Sequence, residues 1–139
     1  MMQNLDRFLK AQASSYDAAL REICAGQKRS HWIWYIFPQI QGLGFSSTAQ
    51  YYAIEDMEEA RAYLREPTLR ARLIEISEAL LALNTNDPTR VMGYPDDLKL
   101  RSSMTLFAEA EPECEVFQKV LDKYYGGRKD SRTLEILNR

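Results

Sequence analysis

Cysteine and histidine are scarce in this chain, which has two cysteines and one histidine among 139 residues. Cys24 and Cys114 lie far apart, each within an apolar helical pattern, which excludes a disulfide framework and argues against a metal site. Free cysteine behaves mainly as a small hydrophobic residue, so we expect both thiols to be buried and structural. We expect neither a metal ion nor a cofactor.

Long hydrophobic runs are also missing, and neither sign of charge dominates. No stretch approaches the roughly 18 apolar residues that a membrane-spanning helix needs, and residues 1–10 do not resemble a signal peptide. Eighteen Lys and Arg against 20 Asp and Glu give a net charge of -2, which provides no bulk field for nucleic acid or an anionic membrane. We therefore expect a cytoplasmic protein with neither partner, in which any anion binding is local.

Hydrophobic residues make up 45% of the chain, which is enough for one contiguous core. They recur at helical spacing, and convincing strand alternation, linkers and repeats are missing. We predict a mainly α, compact single domain over residues 1–139, with about seven or eight helices. Residues 31–37 are rich in aromatic side chains and suit a short strand or a buried helix equally.

Capping residues, prolines and glycines predict where several helices begin and end. Asn4 can cap the first helix, and Gly26 can end it. Asp56 with Glu59 has the spacing of a capping box. An apolar stripe after a proline predicts the most regular helix over residues 67–84. Other starts are expected at Ser46 or Ser47, near Pro95, after Pro112 and at Asp130, with a turn at Asp87-Pro88 and a helix stop at Gly126-Gly127.

Residues 28–39 form the first unusual segment, in which two tryptophans stand among polar side chains. Aromatic rings can stack on a planar ligand such as a nucleobase, while side-chain amides or an imidazole contact its polar edge. His31 is a candidate general acid or base. The alternative is that the rings fill the core and the polar groups cap helix ends. The ligand-binding candidates are Lys28, Ser30, Trp32, Trp34 and Gln39.

Residues 95–107 form the second unusual segment, in which Asp97 and Arg101 would lie one helical turn apart. Serine and threonine are poor helix-interior residues unless their hydroxyls are bonded, and a phosphate, ribose or carboxylate would satisfy hydroxyls and cations together. Asp97 is a candidate catalytic carboxylate. The alternative is a surface pair of Asp97 and Arg101 with helix-bonded hydroxyls. The ligand-binding candidates are Lys99, Arg101, Ser102, Ser103 and Thr105.

Residues 126–133 combine flexible backbone, cations and a helix start, which can form an anion-binding nest. Arg128 and Asp130 are ligand-binding candidates in this third segment, and the alternative is that its glycines merely end a helix. A ligand needs convergent groups, so we expect side chains from the first two segments to line one cavity. The residues expected there are Lys28, His31, Trp34, Gln39, Asp97, Lys99 and Arg101.

The three segments resemble the bacterial family catalogued as domain of unknown function 1810, and the resemblance extends from about Leu5 to Leu137. The runs that carry it are Lys28-x-Ser30-His31-Trp32-x-Trp34-x-x-Phe37-Pro38-Gln39, Asp96-Asp97-Leu98-Lys99-x-Arg101-Ser102-Ser103-Met104-Thr105-Leu106-Phe107 and Gly126-Gly127-Arg128-x-Asp130-x-x-Thr133-Leu134. The resemblance implies a helical cytoplasmic domain without established catalytic residues. The calpastatin label that some such proteins carry has no support here, because repeated inhibitory segments are missing.

A shorter likeness involves Phe37-Pro38, a glycine loop and the run Gln50-Tyr51-Tyr52-Ala53-Ile54. It is similar to the start of the NAD and ADP-ribose associated domain (NADAR), whose members include N-glycosidases of ADP-ribose and of a riboflavin intermediate. The likeness implies a shared fold and cleavage of an N-glycosidic bond beside a ribosyl phosphate. The acid of that motif falls near Ala49 or Gln50, so a catalytic carboxylate would come from elsewhere, such as Glu55, Asp97 or Asp130.

The sequence leaves three functions open. The first is hydrolysis of an N-glycosidic bond in a nucleotide or ADP-ribose-related compound, which needs a carboxylate for an oxocarbenium-like centre and cations for the phosphate. The second is a non-catalytic ligand-binding or sensing module that uses the same pocket. Both have a small molecule as partner, a phosphorylated nucleotide or ribose compound. The third is a protein-interaction domain, which would present a broad apolar patch in place of a polar cleft.

Overall fold

Helices account for the regular structure of residues 5–139, the part of the chain that the computed structural model describes. Within that part no strand forms, and one isolated parallel bridge joins Ile40 to Ile54. The mainly α class is therefore confirmed. The helices are α1 (Asp6–Cys24), α2 (Ile33–Ile36), α3 (Ser47–Tyr51), α4 (Met57–Arg65), α5 (Pro67–Leu81), α6 (Pro88–Met92), α7 (Asp96–Ala110), α8 (Val116–Tyr125) and α9 (Ser131–Leu137).

The number of helices between residues 5 and 139 is nine, against the predicted seven or eight. One source of the difference is Asp87-Pro88, which was expected to open only a turn. The Asp87 carboxylate accepts hydrogen bonds from the N–H groups of Thr89 and Arg90, so the turn continues into α6. Residues 31–37 contain α2, which settles the open choice between strand and helix for that segment.

The centre of the core is α7, which packs against α4, α6, α8 and α9. Ten of its 15 residues are buried, so its apolar residues do not form a single stripe. Phe107 illustrates the central position of α7. Its ring centroid lies 5.2 Å from that of Tyr63 on α4 and 5.8 Å from that of Phe117 on α8. Long α1 and α5 pack together beside it. None of the helices between residues 5 and 139 has the length and apolarity to cross a membrane.

Most predicted helix ends are confirmed. The Asp56 carboxylate accepts a hydrogen bond from the N–H of Glu59 at 2.8 Å, and Ser46, rather than Ser47, caps α3. Pro67 is the first residue of α5, which ends three residues earlier than expected. Asp130 caps α9 and left-handed Gly126 ends α8. The proposed cap Asn4 lies outside the described residues.

The prediction that both cysteines are buried is wrong for Cys24, which is exposed as the last residue of α1. The helical spacing places it near the apolar stripe, but the helix ends there and the described residues leave Cys24 exposed. Cys114 is partly buried, and that burial raises the pKa of its thiol.

Candidate functional site

A cleft of about 510 Å³ separates the segment 39–49 from the first turns of α7. Gln39 and Phe45 belong to one wall, and Leu98 and Lys99 to the other. The start of α9 completes the lining with Asp130 and Arg132. Three stretches that are distant in sequence therefore meet here, because the loop before α3 folds against the exposed side of α7. Among residues 5–139 no group of three or more His, Cys, Asp or Glu is placed to hold a metal ion.

Several polar groups in this cleft are free to bind a ligand. Within residues 5–139 the side-chain amide of half-buried Gln39 and the exposed guanidinium of Arg132 have no hydrogen-bond partner. The Lys99 ammonium lies 3.8 Å from Asp96 and 5.4 Å from the centroid of the Trp34 ring. This cation–π contact holds a charged group beside the cleft without neutralising it.

Asp130 is the carboxylate among the residues that line the cleft. Its Oδ2 accepts hydrogen bonds from the N–H and the hydroxyl of Thr133, at 2.9 and 2.7 Å. Its own N–H donates to the hydroxyl of Thr105 at 2.8 Å, which ties it to the centre of α7. Within the described part of the chain its Oδ1 has no hydrogen-bond partner. The carboxylate is therefore fixed in place with one oxygen available.

Apolar side chains form the mouth of the cleft. Phe45 is 82% exposed and Leu98 is 49% exposed, and both line the opening. Large hydrophobic residues are seldom left in water without a use when they cluster at a concave surface. The cleft thus has both charged and exposed apolar lining residues, which suits a compound that has both a charged and a flat or apolar part.

Outside the cleft lining, a buried ion pair links the first two unusual segments, residues 28–39 and 95–107. The Lys28 ammonium lies 2.8 Å from Asp96, and the Lys28 side chain is only 6% exposed. It also lies 4.9 Å from the Trp32 ring centroid, and the Trp32 ring is buried. Asp96 in turn faces Lys99, so the carboxylate stands between a buried lysine and one beside the cleft.

Glu22 on α1 organises the turn that carries Lys28. Its carboxylate accepts hydrogen bonds from the N–H groups of Arg29 and Ser30, the Ser30 hydroxyl and the Trp32 ring N–H. Burial alone would raise the pKa of Glu22, but these hydrogen bonds outweigh it and lower the pKa to about 2. Sequence analysis missed this residue, because an acidic residue on an amphipathic helix gives no signal of its partners.

The predicted catalytic residues lie away from the cleft lining. The buried Asp97 carboxylate accepts a hydrogen bond from the hydroxyl of Thr89 at 2.6 Å and another from the N–H of Leu98 at 2.9 Å. The Asp97 carbonyl accepts from the hydroxyl of Tyr125. His31 is exposed on the turn before α2, and no described residue bonds to its imidazole. A catalytic role for either residue stays a prediction.

Arg101 holds the glycine turn after α8. Its guanidinium donates to the carbonyls of Arg128 and Lys129, at 2.8 and 3.1 Å. Within residues 5–139 it forms no ion pair with Asp97, so the surface pair considered as the alternative is not formed. Its hydrogen bonds go to backbone, and they fix the turn that leads to Asp130.

The hydroxyls of α7 mostly bond to their own helix. Ser102 and Thr105 donate to the carbonyls of Leu98 and Arg101, at 3.1 and 2.8 Å. The Ser103 hydroxyl is fully buried and has no hydrogen-bond partner among the described residues. Ser102 also lines the cleft. The alternative interpretation of helix-bonded hydroxyls therefore describes two of the three residues.

Of the seven residues expected to share one cavity, Gln39 and Lys99 line the cleft. Trp34 meets Gln39 in a narrow recess that adjoins it. The structure places the other four elsewhere, in the buried ion pair, on the turn before α2 and in the first two turns of α7: Lys28, His31, Asp97 and Arg101. Sequence analysis missed Phe45, Leu98 and Arg132. Phe45 did carry a signal, because a large apolar residue between a glycine and two serines is unusual in a polar loop.

Comparisons with known proteins identify relatives of the whole chain. Residues 2–137 match the family described as protein of unknown function, DUF1810. The crystal structure of Rv1873, a conserved hypothetical protein from Mycobacterium tuberculosis, is similar with a TM-score of 0.96 and 45% sequence identity. The similarity covers 98% of this chain and 97% of that one. No curated protein matches.

Proposed function

We propose that this chain, which belongs to the family of unknown function DUF1810, binds a small phosphorylated nucleotide or ribose compound in the cleft between segment 39–49 and α7. The observation that carries the proposal is the convergence of Gln39, Lys99 and Arg132 from three separate parts of the chain. Unrelated surface residues would scatter, whereas a ligand requires donors that face one space.

The charge of the lining residues selects an anionic group. Lys99 and Arg132 are both cationic, and Asp130 offsets one of these charges. Lysine and arginine bind phosphate through charge-assisted hydrogen bonds, which are stronger than neutral ones. Phe45 and Leu98 supply an apolar surface for the remainder of the ligand. A phosphorylated ribose compound has both features. The predicted cytoplasmic location agrees with such a ligand.

A second candidate function is hydrolysis of an N-glycosidic bond in the same compound, and it depends on Asp130. The departing base leaves an oxocarbenium-like sugar, which a nearby carboxylate stabilises. Asp130 is fixed by Thr133 and keeps one oxygen without a partner in the described structure. The likeness to the NADAR domain is consistent with this chemistry. Asp130 is then a better candidate than Asp97, whose carboxylate is buried against Thr89.

Binding can be tested by titration calorimetry with ribose 5-phosphate and with inorganic phosphate. Replacement of Lys99 by alanine should weaken ribose 5-phosphate binding about tenfold, the loss of one hydrogen bond to a charged group. Lys119→Ala is the matched control, because Lys119 is an exposed helical lysine of α8 that does not line the cleft. Equal effects of both substitutions, or no binding at millimolar concentration, would contradict the proposal.

Hydrolysis can be tested by mass spectrometry of products after incubation with ribosyl-phosphate N-glycosides and ADP-ribosylated compounds. The enzyme hypothesis expects a free base that wild-type protein releases and Asp130→Asn does not. Binding without any product would favour the non-catalytic module. If the protein binds no small ligand, the remaining hypothesis is a protein-interaction domain that uses the exposed side chains of Phe45 and Leu98.

A further inference from the structure

Residues 42–52 form a surface loop that is closed on itself. Within the described structure, every hydrogen bond of this loop joins two of its own residues or Gln50 to Ala53 directly after it. The Ser46 hydroxyl accepts from the N–H of Ala49, and the Gln50 amide donates to the carbonyl of Phe45. Such compact loops with adjacent ends can move as units and frequently serve function.

The loop is anchored at both ends, where Leu43 and Tyr52 pack against the core, and is weakly anchored between them, at α3. Its ends meet where Gln41 and Ile54 donate N–H groups to the carbonyls of Ile54 and Gln39, each at 2.8 Å. Ile40 and Ile54 are buried there. In contrast, α3 has no buried residue and no extensive packing against another described helix. Few buried contacts mean a low free energy of local opening.

The loop lines three adjacent spaces. Phe45 and Ser46 face the cleft. Gly44 and Ala49 border the narrow recess of about 10 Å³, which has room for about one water. Ser47, Thr48, Tyr51 and Tyr52 border a second groove of about 540 Å³. Trp34 lines both the recess and this groove, so the recess connects the two larger spaces beneath α3.

The second groove, which we call the aromatic groove, is lined by four aromatic side chains, a serine and a threonine: Trp34, Tyr35, Ser47, Thr48, Tyr51 and Tyr52. Tyr51 is 61% exposed and meets the Tyr52 ring edge-on, with centroids 4.8 Å apart. Exposed rings at a concave surface offer stacking for the flat face of a heterocycle. The charged groups of the cleft and the rings of the aromatic groove thus provide complementary halves of a binding site.

We propose that residues 42–52 form a movable lid, whose displacement joins the cleft to the aromatic groove so that one ligand places its phosphate near Lys99 and its aromatic ring near Tyr51. This inference rests on the proposed function and narrows its substrate class to phosphorylated compounds with a heteroaromatic ring. The closed recess is too small for the connecting sugar, so the lid must move for the ligand to enter.

The affinity test compares adenosine monophosphate with ribose 5-phosphate, which lacks the ring. Stacking on an aromatic side chain contributes about 1–3 kcal/mol, so the nucleotide should bind about tenfold more tightly. Tyr51→Ala should remove that tenfold difference, because it removes the ring on which the heterocycle stacks. Tyr94→Ala is the control, because Tyr94 is similarly exposed but does not line the groove. Lys99→Ala should weaken both compounds alike.

Lid movement is measured by amide hydrogen exchange of the same protein. Amides of residues 42–52 should exchange faster than those of α7 in the free protein and slow when the nucleotide binds. Equal exchange in the lid and α7, or no change on nucleotide binding, would overturn the lid. Ribose 5-phosphate binding without a ring-dependent gain would overturn the narrowed substrate class while the proposed function stands. Failure of both compounds to bind would overturn both proposals.

Discussion

Two lysine–tryptophan pairs meet at Asp96, and they differ in exposure. Lys28 lies 2.8 Å from the carboxylate with a side chain that is 6% exposed, whereas Lys99 lies 3.8 Å away and is 28% exposed. Lys28 stands beside the ring of buried Trp32, and Lys99 beside that of half-buried Trp34. Similar lysine–tryptophan contacts therefore have different roles: the first pair holds two segments together, and the second places a charge beside the cleft.

The energetic reason for the difference is desolvation. A lysine removed from water depends on its carboxylate, because an unpaired buried charge is costly. A lysine that keeps part of its hydration depends on its partner much less and can exchange water for a ligand. Four substitutions test whether contacts that hold the fold together contribute more to the free energy of unfolding than the contact of Lys99 with Asp96. They follow from the largest expected effect to the smallest.

Lys28→Ala should lower the free energy of unfolding by roughly 3 kcal/mol, because it leaves Asp96 partly buried with only the more distant Lys99. Urea denaturation of the mutant and of wild type measures the effect. A loss below about 0.5 kcal/mol would show that the buried pair is energetically equivalent to a surface pair. It would contradict the proposed difference between Lys28 and Lys99.

Glu22→Gln should lower the free energy of unfolding by about 2 kcal/mol near neutral pH, because it replaces a carboxylate that accepts several hydrogen bonds. The pKa of Glu22 in the folded protein, about 2, is below its ordinary value of 4.5. The stabilisation is therefore complete above about pH 4.5 and is lost as the pH falls towards 2. Denaturation curves should converge for the two proteins over that interval. A constant difference would contradict the assignment.

Arg101→Lys should lower the free energy of unfolding by about 1.5 kcal/mol, since lysine keeps the charge but cannot donate to two carbonyls in the same fork. The sequence instead predicts a ligand contact at Arg101, and loss of such a contact would lower ligand affinity with little effect on stability. Thermal denaturation together with calorimetry separates the two roles. Unchanged stability with a tenfold loss of ribose 5-phosphate affinity would favour the ligand contact.

Lys99→Ala should change the free energy of unfolding by less than about 0.5 kcal/mol, as expected for a partly exposed pair with a 3.8 Å separation. The same substitution should weaken ribose 5-phosphate binding about tenfold. Lys28 and Lys99 would thus show opposite profiles in urea denaturation and calorimetry. Similar profiles for the two alanine mutants would abolish the distinction between a structural and a binding pair.

Local signals in the sequence predicted much of the fold, because capping and helix termination depend on neighbouring residues. Asp56 and Pro67 start helices where expected. The pattern was less informative for α7, since a helix that is covered on most sides shows no single apolar stripe. Its serines and threonine then looked like ligand contacts, although Ser102 and Thr105 donate to the preceding turn.

The candidate site was only partly predictable, because a charged side chain has the same appearance in sequence whether it binds backbone or a ligand. Arg101 and Lys99 stand two residues apart, on different sides of α7. One donates to the carbonyls of Arg128 and Lys129, and the other reaches the cleft. Nothing in the local sequence pattern indicates which side of α7 faces the glycine turn after α8.

The sequence by itself determined the helical class, most helix starts and the membership of the DUF1810 family, because periodicity, caps and residue runs are local properties of a chain. The tertiary structure determines which charged side chains pair with other groups of the protein and which remain available to a ligand. Asp96 pairs closely with Lys28, which leaves Lys99 beside the cleft, and Arg132 joins it there only because Arg101 fixes the turn before α9. Such choices depend on contacts between residues distant in sequence, and only the packed helices determine those contacts.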